Sequence, residues 1–411
     1  MPSFPHAWKA GSPPPGVGSS SRSIPLFNAL TATAHELQAL MISGTLKSTD
    51  LVEEYIWRIE NHNSYLNAIF EYSPTAMQRA ADMDSARQNG EFLGPLHGIP
   101  IVLKDNMATD DSLGMNTTAG ASSLWGSTPS KNAAIVNRFR TEDTDRLWGG
   151  GGGGSWSDLR VGTLDVESWL YPDVLVKSST PEATEQMIRE TREAYCRIAK
   201  LAGSYHENVD LRSAADFVMD DGTHSISAIF HVEFKDDLAN YLSTLKNSNI
   251  RSLQEMVDWN SANPSEGLPE EYPSQSSLIT SLTTNYSDEK VESIQKHYRE
   301  VGSSFEDTLK KYDIDVIIGP GDSFFTTFAA ANGCPVAAMP LSSLDFNGRP
   351  FGLMAMARPH EEALLLRVMS AFESSFSSRQ IPKAFLSPGS SIMDLKSKVN
   401  VQCLGTHKTF E

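Results

Sequence analysis

The chain has 411 residues and a formal net charge of −17, with 34 Lys and Arg against 51 Asp and Glu. A hydrophobic fraction of 40% is typical of a folded protein with a sizeable core, in one large domain or two ordinary ones. The acidic balance argues against nucleic acid and anionic membranes as partners, because phosphate groups attract surfaces rich in Lys and Arg.

The N-terminal residues 1–30 are predicted to form a flexible tail, since Pro, Gly and Ser recur there without the apolar stretch of a signal peptide. No stretch of the sequence approaches the roughly 20 apolar residues that span a bilayer. The three cysteines, Cys196, Cys334 and Cys403, are too few and too scattered for a disulfide framework or a zinc site. We therefore expect a cytoplasmic protein.

Two amphipathic helices are predicted after the tail. Thr33 and Glu36 have the spacing of a capping box, and Gly44 is a stop signal for the first helix. The second helix is predicted to be capped by Ser48, and apolar residues recur along one of its faces at the spacing of helical turns. Both helices are interpreted as cover for a core, without chemistry of their own.

A buried strand is predicted from Ile99 to Leu103, because this continuous apolar run is bounded by Gly and Pro and then by Lys104. Lysine is a poor base at neutral pH, since its ordinary pKa is near 10.4. Desolvation at the end of a buried strand lowers that pKa by as much as about 3–5 pH units, and the neutral amine can then take a proton from a hydroxyl nucleophile. Lys104 is thus the candidate catalytic residue; the alternative is a structural pair with Asp105.

Residues 141–158 form a junction of different composition. A polar, charged stretch is followed by six consecutive glycines, Gly149 to Gly154, which have no side chain to pack and predict a flexible connector. Ser155 and Ser157 follow the glycines directly. Ser122 and Ser123 lie upstream, in a small polar loop. The glycine run with Ser155 and Ser157 is interpreted as a linker or a splice scar, with a functional Gly/Ser loop as the alternative. Ser122 and Ser123 are interpreted as ordinary loop serines, with the hydroxyl nucleophile for Lys104 as the alternative.

Beyond the junction, strands and helices are mixed, which indicates a layered α/β fold. Helices are predicted at 181–201, 230–245 and 361–376, and strands at 159–164, 313–318, 336–340 and 351–356, with a turn at Asn347 and Gly348. The histidines and cysteines lack metal-ligand spacing, so no metal site is expected. No Gly-x-Gly-x-x-Gly pattern follows a strand, so no nucleotide cofactor is expected either.

Two motifs carry a resemblance to a known family. The segment GPLHGIPIVLKDN, from Gly94 to Asn106, followed by MNTTAG, from Met115 to Gly120, resembles the amidase signature family, and the chain is most similar in style to its fungal members. Shorter similar pieces lie on both sides, at 33–67 upstream and, downstream, at Phe234-Lys235 with Tyr241-Leu242, 313–315, 333–335, 348–353 and 361–365.

The resemblance implies an α/β fold with an amidase-signature-like mixed sheet covered by helices. It also implies a triad of a serine nucleophile, a bridging serine with a cis peptide bond, and a lysine, the last of which corresponds to Lys104. In such enzymes the serine attacks an amide carbonyl, an acyl-enzyme forms, an amine or ammonia leaves, and water releases the acid. No cofactor is implied.

The sequence departs from the family between Arg140 and Trp156, where the Gly/Ser-rich block with both serines should lie. The expected fold therefore has the central part of its core truncated, with apolar strand faces and edges left uncovered. The predicted organisation is a tail at 1–30, an N-terminal part of an amidase-like domain at 31–140, the junction at 141–158 replacing the block, a C-terminal part at 159–390, and a tail at 391–411.

Two functions remain open from the sequence. The first is a C–N hydrolase of carboxamides in small-molecule metabolism, with a small-molecule amide as substrate. The second is a catalytically inactive, amidase-derived binding or scaffold protein, or a truncated gene product without both triad serines. The sequence does not decide between an enzyme and a non-enzyme, and leaves the substrate and the oligomeric state open.

Overall fold

The computed structural model describes residues 26–140, 154–171, 180–270, 272–377 and 381. The predictions for residues 1–25 of the tail, residues 141–153 of the junction and residues 391–411 lie outside this part of the chain. Among the helices described, none combines the length and the apolar composition needed to cross a membrane.

Helices and strands are mixed along the described chain. The helices are α1 (Ala34–Ile42), α2 (Ser48–Leu66), α3 (Ala76–Gln88), α4 (Ala134–Arg140), α5 (Val166–Trp169), α6 (Pro181–Leu201), α7 (Ser225–Ser243), α8 (Leu253–Ala262), α9 (Pro264–Gly267), α10 (Ser276–Thr283), α11 (Asp288–Tyr312), α12 (Thr326–Asn332) and α13 (Glu362–Ser375). The strands are β1 (Thr128–Pro129), β2 (Arg160–Thr163), β3 (Ser204–His206), β4 (Leu245–Asn247), β5 (Val316–Pro320), β6 (Val336–Ser343) and β7 (Pro350–Met356).

The chain divides into two compact units. The first comprises residues 1–146, 233–283 and 387–411, and the second comprises residues 147–232 and 284–386. Each unit is thus assembled from separate stretches of sequence. The limits predicted at residues 30, 140, 158 and 390 stay predictions.

The first unit is mainly helical. The capping box predicted at the start of α1 is present, since the backbone N–H of Glu36 donates to Thr33 Oγ1 at 3.2 Å and that of Thr33 donates to Glu36 Oε2 at 2.7 Å. Its apolar residues form separate small clusters rather than one core: one is Leu37, Met41, Leu46 and Leu51, and another is Leu124, Leu238, Leu242, Leu245, Ile250, Leu253 and Met256. Its β1 and β4 form a short antiparallel pair.

The second unit is built on a mixed five-stranded sheet in the order β3-β2-β5-β7-β6. The strands β3, β2 and β5 are parallel, and β5, β7 and β6 are antiparallel. Helices cover both faces: Val316 and Ile318 of β5 lie in a cluster with residues of α6 and α13, and Ile317 lies in a cluster with residues of α11 and α12. Every residue of β5 is buried, as expected of a central strand with helices on both sides. This is the α/β fold, a mixed sheet with covering helices, that the sequence predicts.

The prediction of a buried strand from Ile99 to Leu103 is wrong. This segment is irregular, and the side chains of Ile101 and Val102 are 40% and 74% exposed. Within the described residues, the backbone hydrogen bonds near this segment lie at its ends, where Ile99 N–H donates to the carbonyl of Leu96 and Met107 N–H donates to the carbonyl of Lys104. An apolar run becomes a strand only where a neighbouring strand takes up its backbone groups, and no strand of the described chain does so here.

Candidate functional site

Lys104 lies at the end of the exposed segment, in the first unit. Its side chain is exposed, and none of the residues that the structure describes forms a hydrogen bond or an ion pair with its ammonium group. The desolvated environment that the sequence predicts for this lysine is therefore not present. The alternative pair with Asp105 is not formed either, because the Asp105 carboxylate is taken up by other donors.

Asp105 holds the loop of the second motif. Its carboxylate accepts hydrogen bonds from the backbone N–H of Thr118 at 3.0 Å, from the Thr118 hydroxyl, and from the backbone N–H of Gly120 at 3.0 Å. The loop turns through two left-handed residues, Ala119 with φ 51° and Gly120 with φ 79°, which directs successive N–H groups toward one acceptor. The residue next to Lys104 is thus tied to residues 118–120.

Thr117 in the same loop is almost fully buried and connects the loop to two other segments. The backbone N–H of Thr109 donates to its hydroxyl at 3.2 Å, and the Tyr241 hydroxyl, at the end of α7, donates to its carbonyl at 3.4 Å. Burial raises the pKa of Tyr241, and the negative charge of Asp105 raises it further. Tyr241 is thus a neighbour of the Lys104 motif to which the sequence reasoning gave no role, although it lies in one of the pieces that carry the resemblance.

The turn before the exposed segment is anchored through His97, which is buried. The backbone N–H of Leu93 donates to His97 Nδ1 at 2.9 Å, so Nε2 carries the proton and donates to the carbonyl of Met83 at 2.9 Å. The carbonyl of His97 accepts from Arg87 at 2.8 Å and from Gln38 at 2.9 Å. These bonds fix the chain to α1 and α3.

Gly98 follows directly and could not carry a side chain. Its φ is +79°, and a Cβ there would lie 2.0 Å from Ser48 Oγ at the start of α2. The Lys104 segment is therefore held firmly at both ends, by the Gly98 turn and by the Asp105 loop, while its apolar middle is exposed.

Of the four candidate serines, Ser122 and Ser123 lie in the first unit, as Lys104 does, and Ser155 and Ser157 lie in the second. In the first unit, the Ser122 hydroxyl donates to the carbonyl of Glu266 at 3.0 Å, and Ser123 is buried with 3% exposure. In the second unit, the hydroxyls of Ser155 and Ser157 lie 2.9 Å apart in an exposed turn, and Ser157 N–H donates to Ser155 Oγ at 3.1 Å. Neither Ser122 nor Ser123 is hydrogen-bonded to Lys104 within the described residues of the first unit.

The described residues contain no group of three or more His, Cys, Asp or Glu side chains arranged to hold a metal ion. Trp156, which follows the glycine run, is 2% exposed, lies in the core of the second unit and donates from its indole N–H to Ser375 Oγ at 2.8 Å. It anchors the chain where residues 154–171 begin.

Comparison with known proteins places the resemblance in the first unit. A family model described as amidase matches residues 50–144. A putative amidase from Schizosaccharomyces pombe is 41% identical over 129 residues, which are 31% of this chain and 22% of that protein. A putative amidase from Arthroderma benhamiae is 33% identical over an alignment of 152 positions that covers 32% of this chain and 25% of that protein. The chain thus spans about a quarter of the length of these curated relatives.

The fold is similar to solved structures over most of the chain. Native peptide amidase from Stenotrophomonas maltophilia matches with a TM-score of 0.66 at 19% identity, covering 85% of this chain and 98% of that one. An amidase family protein from Bacillus anthracis matches with a TM-score of 0.68 at 16% identity, covering 85% of this chain and 92% of that one.

Proposed function

We propose that this chain is a member of the amidase signature family and that it hydrolyses the C–N bond of a small carboxamide in the cytoplasm, as part of small-molecule metabolism. The observation that carries the proposal is the Lys104 motif, which lies inside the matched residues 50–144. The structure adds support through the hydrogen bonds that tie both ends of this motif to its surroundings.

The proposed reaction proceeds through an acyl-enzyme. A serine Oγ attacks the amide carbonyl carbon as its proton passes, through a bridging serine, to the neutral amine of Lys104. The new C–O bond forms, the C–N bond breaks, and Lys104 returns the proton to the leaving nitrogen, which departs as an amine or as ammonia. Water then releases the carboxylic acid, and no cofactor is needed. The resemblance assigns Lys104 alone to this triad; the two serines have no assignment in this sequence.

A second candidate is a catalytically inactive, amidase-derived binding or scaffold protein. The observation that favours it is the exposed Lys104 side chain, which no described serine hydroxyl contacts. Under this proposal the Gly-rich junction at 141–158 replaces the signature block, and the gene product is truncated relative to an active amidase.

A serine-reactive fluorophosphonate separates the two candidates. An active hydrolase is expected to be labelled by it, and Lys104→Ala is expected to abolish the labelling and to lower amide hydrolysis by several orders of magnitude. The matched control is Lys131→Ala, which removes another exposed lysine of the first unit and should leave labelling unchanged. A purified chain that is folded by circular dichroism and yet unlabelled would refute the hydrolase and leave the inactive protein.

The native transcript tests the truncation. We expect that sequencing across the codons for residues 141–156 would reveal an additional in-frame block rich in Gly and Ser if the working protein is an ordinary Ser–Ser–Lys amidase. A transcript that encodes the six glycines as they stand would instead support the inactive protein.

A further inference from the structure

The turn that follows β5 in the second unit is built rigidly. The backbone N–H of Gly321 donates to the carbonyl of Gly352 at 2.8 Å, and a Cβ on Gly321 would lie 2.7 Å from that oxygen. Ser323 is 1% exposed, and its hydroxyl donates to the carbonyl of Pro320 at 2.8 Å. Because Ser323 and Phe325 point inward, the alternating residues Asp322 and Phe324 are exposed to solvent.

Tyr171 lies against this turn. Its backbone N–H donates to the carbonyl of Asp322 at 3.0 Å, and Leu170 forms an antiparallel bridge with Ser323. The rings of Tyr171 and Phe324 meet edge to face, with centroids 4.8 Å apart and an interplanar angle of 87°. Both rings remain 36–37% exposed. Two aromatic surfaces are therefore fixed beside each other and open to solvent.

The charge at this place is negative and unpaired. The Asp322 carboxylate is exposed, and no residue in the described part of the chain donates a hydrogen bond or supplies a cation to it. Burial raises the pKa of the Tyr171 hydroxyl, and the charge of Asp322 raises it further. A ligand for this surface would therefore carry a positive charge.

The position in the sheet also points to a ligand. The strands β2 and β5 are parallel neighbours, and the segments that follow their carboxyl ends meet where Tyr171 contacts Asp322 and Phe324. Ligands of open α/β sheets characteristically bind outside the carboxyl ends of the strands.

We propose that Tyr171, Asp322 and Phe324 form a binding site for an organic cation, namely an alkylammonium or quaternary ammonium group. The electron-rich faces of the two rings attract the cation, and the Asp322 carboxylate neutralises it. A neutral apolar ligand would leave the carboxylate unused, and an anion would be repelled. The proposal does not require amide hydrolysis, so a binding measurement tests it.

The test uses the full-length chain and choline as the probe. We expect saturation-transfer NMR to detect the trimethylammonium protons of bound choline, and the neutral isostere with tert-butyl in place of trimethylammonium to bind more weakly. Asp322→Asn should weaken choline binding about fivefold, and Phe324→Leu about threefold, whereas Phe324→Tyr keeps the ring and should retain binding.

The chain offers a matched control in its first unit. Phe70 and Trp125 are also half-exposed and meet edge to face at 5.3 Å, but the neighbouring Glu71 is hydrogen-bonded by Asn116. Phe70→Leu should leave choline binding unchanged, as should Asp220→Asn, which removes another exposed carboxylate of the second unit. Absence of saturation transfer, equal binding of the neutral isostere, or full binding by folded Asp322→Asn would each overturn the proposal.

Discussion

Two apolar segments of this chain are similar in composition but differ in burial. The segment Ile99–Leu103 and the run Val316–Ile318 of β5 are both apolar, and a strand is predicted for each, at 99–103 and at 313–318. In the structure every residue of β5 is buried, whereas Ile101 and Val102 are 40% and 74% exposed.

The difference lies in the neighbours. β5 has β2 on one side and β7 on the other, so its backbone groups are paired, and helices cover both of its faces. The segment Ile99–Leu103 has no pairing strand among the described residues, and it is held only at its ends. An apolar sequence therefore shows that a segment is suited to burial. Burial itself requires pairing strands and covering helices from distant parts of the chain.

The largest expected effect is at the centre of the sheet. Ile317 of β5 is fully buried, so Ile317→Ala should lower the free energy of unfolding by about 3 kcal/mol, through lost apolar contact and a residual cavity. Urea denaturation followed by tryptophan fluorescence measures the loss. A cost below about 0.5 kcal/mol would mean that the second unit lacks a tightly packed core.

An intermediate effect is expected where the exposed segment ends. Asp105→Ala removes the carboxylate that accepts from the backbone N–H groups of Thr118 and Gly120, and should cost about 2 kcal/mol. The Gly120 N–H also donates to Thr118 Oγ1 at 3.2 Å, so the larger loss is expected at Thr118. Hydrogen exchange should show lost protection at these two amides. Glu91→Ala, which removes an exposed carboxylate of the same unit, should change neither the stability nor the exchange. Unchanged protection of Thr118 and Gly120 in the Asp105 variant would show that the loop is held by other contacts.

A smaller, pH-dependent effect is expected at the edge of β5. Burial raises the pKa of the Asp315 carboxyl, but hydrogen bonds from the side chain and backbone of Arg160 outweigh it, so the pKa lies below its ordinary value. The carboxylate thus stabilises the fold above the unfolded pKa of about 3.9, and this contribution is lost as the pH falls through the lower, folded pKa.

The matching measurement compares urea midpoints of the wild type and Asp315→Asn from about pH 6 down to about pH 3. The wild type should lose more stability over this range than the variant does. Parallel pH profiles would show that the ion pair with Arg160 does not couple folding to protonation.

The smallest effect is expected in the exposed segment itself. Val102→Thr should change the free energy of unfolding by less than about 0.5 kcal/mol, because the side chain is already mostly in water. The same urea measurement applies. A loss of more than about 1 kcal/mol would break the comparison, since it would mean that Val102 is buried in solution and that the segment has found a pairing strand.

Much of the local structure was predictable from the sequence, because its causes lie within a few residues. The capping box of Thr33 and Glu36, the helix that begins with Pro181 after Thr180, and the turn at Asn347 and Gly348 are all present. The strand predicted at 313–318 is displaced by three residues at its start, since Asp313 in its left-handed conformation and Asp315 in its pairing with Arg160 precede the ladder. The Lys104 motif, which consists of adjacent residues, carries the resemblance to the amidase family, and it lies inside the residues 50–144 that the amidase model matches.

The positions of these elements depend on contacts between residues far apart in the chain. Arg160 is paired with Asp313 and Asp315, more than 150 residues later, and Tyr171 meets Phe324 across a similar separation. The exposure of Lys104 likewise follows from the absence of a pairing strand beside Ile99–Leu103 in the described chain, which the composition of that segment does not reveal. The hydrogen bonds of caps and turns are made by residues a few positions away in the sequence, so caps and turns were predictable. Strand pairing and burial depend on residues that are distant in the sequence, so they were not predictable.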